Sequence, residues 1–298
     1  SSIRPYDAAI FLGDYIYEYG AGGYTAAESN ADDRGFLPNN ELVSLSDYRT
    51  RYAQYHTDHN LRDMRSSVPL IAIWDDHETA NDSWRDGAEN HNPEEGEGQW
   101  PDRVDVAMKA YYEWMPIREP ELRQGASELD EGTPLTQGYR SFDFSDVVSL
   151  HVLETRLTSR DQQLSYPDAD DVSSRIAQIL ADPELSRFYS EAVGVNLPSG
   201  TDDVDGTSLF LDALQHAVTL ELVSNVLSEA VGDSERNLLG DTQMEWLIDQ
   251  LSSSTSSWQV LAQQVLMQSM SLPSELLLNP DPSNIDKYSA PLIKLACL

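Results

Sequence analysis

Two short apolar runs, each ending abruptly in acidic residues, constrain the fold of this chain more than any other feature of its sequence. The first run is "AAIFL" at 8–12, followed by Gly13-Asp14, and the second is "LIAIW" at 70–74, followed by "DDHE". Runs of this length and composition are typical of buried strands. The separation between them leaves room for a helical crossover, so the two strands can be neighbours whose carboxyl ends meet. The sequence therefore predicts a sheet edge that carries several carboxylates.

The segments between these runs and after them have helical periodicity. Tyr48, Tyr52 and Tyr55 recur at spacings of four and three, which predicts one face of a helix with Ser46 as its N-cap. Another helix is predicted over about 103–115. Both helices can cover a sheet, as the layered architecture of α/β proteins requires.

Further strand signals follow in the second half of the chain. The stretch "YRSFDFSDVVSLHVLETR" indicates two strands or a hairpin around Ser145-Asp146, and "SWQVLAQQVLM" indicates one more strand. Between them, Thr242 and Glu245 match the T-x-x-E pattern of a helix capping box. Strands that alternate with helices favour an α/β fold with a mixed sheet.

Residues from about 160 to 237 have a different character. Acidic turns separate two helical patterns there, and no strand-like run appears. Because the alternation of helix and strand resumes afterwards, this segment is predicted to be an acidic helical insertion in a single domain that spans 1–298.

Composition excludes several classes of partner. The 51 acidic and 19 basic residues give a formal net charge of −32 at pH 7, which opposes binding to nucleic acids and anionic membranes. No apolar stretch is long enough for a membrane span, and the start of the sequence has no signal-peptide pattern. One cysteine, Cys297, excludes an internal disulfide and a CxxC metal site. The acidic surface suits a saline environment or the collection of divalent cations.

The residues at the two strand exits are candidate ligands for hard cations. Asp14 and Asp76 could supply carboxylates and Asn81 an amide oxygen. Tyr17 could supply a phenolate, which only a strongly Lewis-acidic ion such as Fe(III) normally stabilises. His77 would serve as a general acid or as a charge stabiliser.

Each of these residues also has an ordinary structural interpretation. An aspartate after a strand is commonly a turn residue, tyrosines at a rim are commonly half-buried, and a loop rich in acids can simply be solvated. His56 and His59 have a spacing that suits a metal, but we expect them on a polar helix face. Two acidic motifs in this order, both at strand ends, favour the metal interpretation over these alternatives.

Five separated segments resemble the PhoD-like alkaline phosphatase/phosphodiesterase family, in the order that the family has them. They are "FLGDYIYEYG", "WDDHETAND", "YYEWMPIR", "LETR" and "LLGDTQMEWLIDQL...WQVLAQQVLM". The resemblance implies a calcineurin-like metallophosphoesterase core, a β-sandwich flanked by helices, with a cluster of iron (Fe3+) and calcium (Ca2+).

The resemblance also implies roles for individual residues. Asp14 matches the family's metal-bridging carboxylate and Tyr17 its phenolate ligand, while Asp76 takes the place of the Asn in the G-N-H-E motif of related phosphoesterases. Arg156 or Arg160 would hold the phosphate through paired donors, although an ordinary ion pair explains either arginine equally well. The substrate would be a small-molecule phosphate ester, and the protein a periplasmic or extracellular monomer.

The sequence departs from the family pattern at three places. The family's cysteine ligand lies upstream of "GDYIYEY" and its later Asp and His ligands lie downstream, so we expect a fragment with about half of the metal site. Cys297 is in the wrong place to substitute, and Glu154 replaces the Asp of "LDTR". A fragment of this kind should bind metal weakly and expose unpaired strand edges.

Two other functions remain open on the residues alone. A non-catalytic, acidic, calcium-binding secreted protein would explain the charge and the carboxylates. A glycosidase with a carboxylate pair could recruit "DDHE" and the tryptophans, although the order of the motifs speaks against it.

Overall fold

A computed structural model describes residues 6–23, 35–120, 135–165, 167–200 and 202–265. The end of the predicted strand "SWQVLAQQVLM" and Cys297 lie outside these residues. The chain divides into two compact units, the first within 1–162 and 237–265 and the second containing 163–236. Each unit has its own apolar core.

The two apolar runs that end in acids form neighbouring parallel strands, as predicted. Strand β1 (Ala9–Leu12) pairs with β2 (Leu70–Ile73) in the register that places Ala9 opposite Leu70 and Leu12 opposite Ile73. Helices α1 (Leu45–Tyr55) and α2 (His59–Ser67) lie between them in the chain and form the predicted crossover. The carboxyl ends of β1 and β2 therefore lie side by side.

Helix α1 begins two residues earlier than predicted. Its N-cap is Ser44, whose hydroxyl accepts from the Asp47 N–H while the Asp47 carboxylate accepts from the Ser44 N–H. Because this reciprocal pair satisfies the free N–H groups of the first turn, the prediction of Ser46 as the cap is wrong. The predicted inner face is confirmed for Tyr48 and Tyr52, which are fully buried.

The second sheet of this unit has the mixed topology that was predicted. Strands β3 (Arg140–Phe144) and β4 (Val148–Val152) form an antiparallel hairpin, and β5 (Trp258–Ala262) pairs with β4 in parallel. Ser145 turns the hairpin with φ of 57°. The described strands form one two-stranded and one three-stranded sheet, so the calcineurin-like sandwich stays a prediction.

The capping box predicted before the last strand is wrong. Helix α7 (Gly240–Ser253) begins at Gly240, whose N–H donates to the side-chain oxygen of Asn237 over 3.0 Å. Thr242 and Glu245 consequently lie inside the helix. The positive φ of Gly240, 72°, explains why the helix begins there, because the chain has to bend sharply before the first turn.

Helix α3 (Trp100–Trp114) completes the core of the first unit. Its first turn contains Pro101, a residue that suits this position because the N–H that it lacks has no helical partner there. Tyr111 packs edge-on against Trp74 with ring centroids 5.2 Å apart, and both side chains are fully buried. Burial of side chains of this size contributes about 1.5–3 kcal/mol each, which fixes the end of β2 against the helices.

The described residues of the second unit form three helices, where two helical patterns were predicted. They are α4 (Ala169–Ala181), α5 (Pro183–Val193) and α6 (Val204–Gly232). Asp182 follows the last residue of α4 and caps α5 by accepting from two N–H groups in the first turn of α5. The first predicted helical pattern is therefore two helices. These helices have a core of their own, made by Val172, Ile179, Tyr189, Phe210, Leu214 and Val218. The classification of this segment as an insertion in one domain stays a prediction.

No described helix is both long and apolar enough to cross a bilayer.

Candidate metal centre

The two strand exits touch each other at Gly13 and Asp75. Gly13 has φ of 100°, and a Cβ atom at this position would lie 2.3 Å from both Cβ and the backbone nitrogen of Asp75. Only glycine allows so close an approach. The next residue, Asp14, also has a left-handed backbone (φ 54°), which is uncommon for a residue with a side chain and is frequent at functional sites.

Glu78 joins the two exits through hydrogen bonds to the backbone. Its buried carboxylate accepts from the N–H groups of Asp14 (3.2 Å), Tyr15 (2.5 Å) and Asp75 (2.8 Å). Burial and the neighbouring charge of Asp14 raise the pKa of Glu78 to about 8, although the two shortest N–H bonds act in the opposite direction. Glu78 therefore holds Asp14 and Asp75 in fixed positions and does not itself face a ligand.

The side chains of Asp14, Asp76 and His77 form a cluster that could hold a metal ion. One ligand atom from each lies within 4.8 Å of the others. The Oδ2 atom of Asp14 accepts a hydrogen bond from the Tyr17 hydroxyl (3.0 Å), whereas its Oδ1 atom is buried and has no hydrogen-bond partner in the described part of the chain. A buried carboxylate oxygen without a donor is rare in proteins, and a bound cation would satisfy it.

Electrostatics around the cluster are unbalanced without a cation. Burial and the charge of Asp76 raise the pKa of Asp14, whereas the Arg156 guanidinium and His77 lower the pKa of Asp76 despite its burial. Burial also raises the pKa of Asp75 to about 6, against the effect of Arg156. Several carboxylates thus share one corner, and a divalent ion would relieve their repulsion.

His77 is held by a residue that the sequence did not identify, Glu18. The Glu18 carboxylate is fully buried and lies 2.7 Å from Nδ1 of His77, and it also accepts from the Asn81 N–H (2.7 Å) and the Asn90 amide (2.9 Å). Burial disfavours the charged ring, but the bond to Glu18 and the charge of Asp76 raise the pKa of His77 to about 9. The only sequence feature that marks Glu18 is its place between two tyrosines, four residues after Asp14.

Tyr17, which the resemblance predicts as a phenol ligand, lies beside the cluster. Its ring packs against the His77 ring with centroids 4.1 Å apart, and its hydroxyl donates to Asp14. Burial and the Asp14 charge raise the pKa of Tyr17 well above its ordinary range. Without a cation the group therefore stays a phenol, and a phenolate here needs a strongly Lewis-acidic ion.

Asn81 is oriented by its neighbours. Its backbone N–H donates to Glu18, and its Nδ2 atom donates to Glu89 over 2.9 Å. Because the nitrogen end of the amide is held in this way, Oδ1 remains as the end that can bind a cation. The backbone N–H of Asp82 donates to Asp76 Oδ2 (2.7 Å), so the loop that carries Asn81 is tied to the cluster.

Arg156 compensates the charge of the acidic loop. Its Nε atom lies 2.5 Å from Asp75 Oδ1 and its Nη2 atom 3.7 Å from Asp76 Oδ1. The segment that carries it is held by Glu154, whose buried carboxylate accepts from the N–H groups of residues 156–158 and from the Trp74 indole. Glu154 therefore has a structural role that its position in "LETR" did not reveal.

The donors at the centre fit a hard cation. Carboxylate, amide and phenol oxygens are the ligands that calcium and ferric iron prefer, and the buried free oxygen of Asp14 is in the cluster.

His56 and His59 do not belong to this cluster. His56 ends α1 and lies between Tyr15 and Trp114, so the expectation of a polar helix face is wrong for it.

Known proteins have sequences and structures similar to this chain. Alkaline phosphatase D of Bacillus subtilis (strain 168) is 30% identical over 261 residues, which are 87% of this chain and 32% of that protein. A solved structure described as "Structure of PhoD" matches with a TM-score of 0.55 at 28% identity, covering 88% of this chain and 37% of that one. The chain thus spans about a third of the length of the relatives that it matches. The sequence model of the PhoD-like phosphatase family matches residues 2–290, and the chain therefore belongs to this family.

Proposed function

We propose that the protein to which this chain belongs hydrolyses phosphate mono- and/or diesters at a metal centre built on Asp14 and Asp76, with His77 beside it. The observation that carries the proposal is the convergence of these three side chains at the exits of β1 and β2, with one buried oxygen of Asp14 unpaired. Membership of the PhoD-like phosphatase family supports it. The proposal concerns the whole protein, since the chain spans 32% of its curated relative.

The metal ions that we propose are calcium and ferric iron. Asp14 and Asp76 would hold them through carboxylate oxygens, Asn81 through its amide oxygen and Tyr17 through its phenol oxygen. Ions of this kind supply Lewis acidity toward a phosphoryl oxygen. Because burial and Asp14 raise the pKa of the Tyr17 phenol, its deprotonation would require a strongly Lewis-acidic ion beside it.

His77 is proposed to move or hold a proton at the leaving oxygen of the ester. Because Glu18 occupies Nδ1, the Nε2 atom is the one left to face a substrate. The negative charge of Glu18 keeps the ring protonated, which suits a general acid or a stabiliser of developing negative charge. Arg156 adds positive charge to the same corner while it holds Asp75.

A non-catalytic, acidic, calcium-binding protein is the second candidate. The formal net charge of −32 and the unpaired oxygen of Asp14 favour it, because both would be explained by cation binding alone. A periplasmic or extracellular location and a monomeric state, which the resemblance implied, are part of the first proposal.

Hydrolysis of p-nitrophenyl phosphate and of bis-p-nitrophenyl phosphate, with and without a chelator, tests the two candidates. We expect hydrolysis of at least one ester, lost on chelation and restored by calcium. Metal binding without hydrolysis of either ester would instead favour the calcium-binding protein. Hydrolysis that a chelator leaves unchanged would contradict both candidates.

A further inference from the structure

Arg103, near the start of α3, is a fully buried arginine whose donors are all bound to protein groups. Its partners are two carboxylates at 2.8 Å (Glu41 and Glu97), two backbone carbonyls at 2.9 Å (Leu42 and Asn90) and the hydroxyl of Tyr48 at 3.2 Å. A guanidinium has five N–H donors in a fixed plane, so a set of partners this complete holds them in one relative geometry. Arg103 therefore joins separate segments of the first unit and has no donor left for a ligand.

Two of these partners lead to Glu18, the residue that orients His77. The carbonyl of Asn90 accepts from Arg103, and the side-chain amide of Asn90 donates to the Glu18 carboxylate over 2.9 Å. The carbonyl of Leu42 also accepts from Arg103, and the N–H of Leu42 donates to the carbonyl oxygen of Glu18 over 2.9 Å. Arg103 thus holds Glu18 at both its carboxylate and its backbone.

A third partner leads to the turn that carries His77. The Tyr48 hydroxyl accepts from Nε of Arg103 and donates to the carbonyl of Thr79 over 2.5 Å. The N–H of Thr79 in turn donates to the carbonyl of Asp76 over 2.8 Å, which closes the turn around His77. Tyr48 and Thr79 are both buried, so water does not compete for these bonds. Through this contact Arg103 also fixes the backbone from which the His77 ring projects.

We propose that Arg103 is a positioning residue for ester hydrolysis, which holds Glu18 and the turn at Thr79 so that Nε2 of His77 stays at the leaving oxygen. This inference rests on the proposed function and on the role of His77 in it. Because the donors of Arg103 are bound to protein groups, it acts through Glu18 and the turn and not on the ester itself. Groups that only orient a reacting side chain can still change the rate strongly, since catalysis depends on precise placement.

Arg103→Lys separates this role from the charge of the arginine. Lysine keeps a positive charge beside Glu41 and Glu97 but has three donors in place of five, so some of the neutral acceptors lose their partner. In the whole protein, we expect kcat for a phenyl ester of phosphate to fall about 10- to 100-fold. KM and the metal content by elemental analysis should stay largely unchanged, and thermal unfolding shows whether the variant is folded.

The leaving group gives a readout that a merely structural role would not move. Phenol is a poorer leaving group than p-nitrophenol, so its departure depends more on a proton from a general acid. For Arg103→Lys, kcat for the matching p-nitrophenyl ester should therefore fall clearly less than kcat for the phenyl ester. A loss of folded protein would lower both rates equally, and equal losses would overturn the inference. The control Arg175→Lys, at a pair with Glu221 in the second unit, should leave the ratio of the two rates unchanged.

Asn90→Ala tests one of the contacts by itself and decides the matter if Arg103→Lys does not fold. It removes the amide that donates to Glu18 and keeps the carbonyl that accepts from Arg103. We expect a smaller loss with the same preference for the phenyl ester. In a protein that already carries Glu18→Gln, Arg103→Lys should change the ratio of the two rates much less than it does alone. An unchanged ratio in Asn90→Ala, or fully additive effects in the double variant, would contradict the inference.

The unsubstituted protein distinguishes failure of this inference from failure of the proposed function. If it hydrolyses neither ester, the proposed function is wrong and the inference that rests on it is wrong as well. If it hydrolyses both esters and Arg103→Lys has the same ratio of rates, the function stands and the positioning role of Arg103 is refuted.

Discussion

The Nδ1 atom of His77 lies 2.7 Å from a carboxylate oxygen of Glu18, and both side chains are buried. This contact joins the loop after β1 to the loop after β2. The second oxygen of Glu18 accepts from the N–H of Asn81 and the side chain of Asn90, so one carboxylate orients both a candidate acid and a candidate ligand. The geometry of the centre therefore depends on a residue that need not touch a substrate.

Glu18→Gln should impair both stability and activity. The amide cannot accept from all three donors and removes the charge that keeps His77 protonated, so we expect a loss of about 1–3 kcal/mol in the free energy of unfolding. Groups that orient metal ligands commonly change metal affinity or activity by about 10- to 100-fold, and a similar loss is expected here. Urea unfolding and ester hydrolysis measure the two effects.

A matched control for this change is Glu113→Gln. Glu113 is partly exposed and pairs with Arg49 on the surface, so its loss should alter the free energy of unfolding by less than about 1 kcal/mol. Equal effects of the two substitutions would show that the buried contact between Glu18 and His77 has no special importance.

Gly13→Ala should disrupt the junction of the two strands. The new methyl group would lie 2.3 Å from Cβ and the backbone nitrogen of Asp75, and the backbone at this position is left-handed. Gly22 is an unusually close control, since it has the same φ of 100° but nothing within 4 Å of an added Cβ. We expect Gly22→Ala to cost about 1 kcal/mol through the backbone alone, and Gly13→Ala to cost clearly more. Unfolding midpoints in urea would show the difference, and equal midpoints would contradict the close contact.

His56 should contribute to the pH dependence of stability. Burial and the charge of Arg65 lower the pKa of this half-buried ring from 6.5 to about 4. Between these pH values the His56 ring is protonated in the unfolded chain but not in the folded chain. The contribution of this ring to the free energy of unfolding is therefore complete above pH 6.5 and is lost as pH falls toward 4. Urea unfolding between pH 4 and 7 should therefore give a flatter profile for His56→Gln than for the unsubstituted protein. Parallel profiles would indicate that His56 titrates normally.

The strand exits could be predicted from the sequence because their signals are local. An apolar run followed by Gly13-Asp14, and another followed by Asp75-Asp76, identify two strands and the sheet edge where they end. The role of Glu18 could not be predicted in this way, because its partners lie 59 to 72 residues away along the chain. The resemblance left the phosphate to Arg156 or Arg160, and only the structure shows that Arg156 is paired with Asp75. Helix caps were also misplaced, because Ser44 and Ser46 both precede the apolar face and only the backbone shows which of them caps it.

Asp14→Asn should separate metal binding from folding. In the metal-free protein, burial and the charge of Asp76 raise the pKa of Asp14, so its negative charge is unfavourable there and its removal should not lower the Tm. Asparagine also tolerates the left-handed backbone at this position. In the whole protein with calcium or iron present, the variant loses an anionic oxygen and the ions lose charge balance, so metal content and hydrolysis should both fall toward background. Asp86→Asn, at an exposed surface pair with Arg85, should leave both unchanged. Elemental analysis and the Tm with and without metal measure these effects. Full metal content in Asp14→Asn would show that Asp14 is an ordinary turn residue and not a metal ligand.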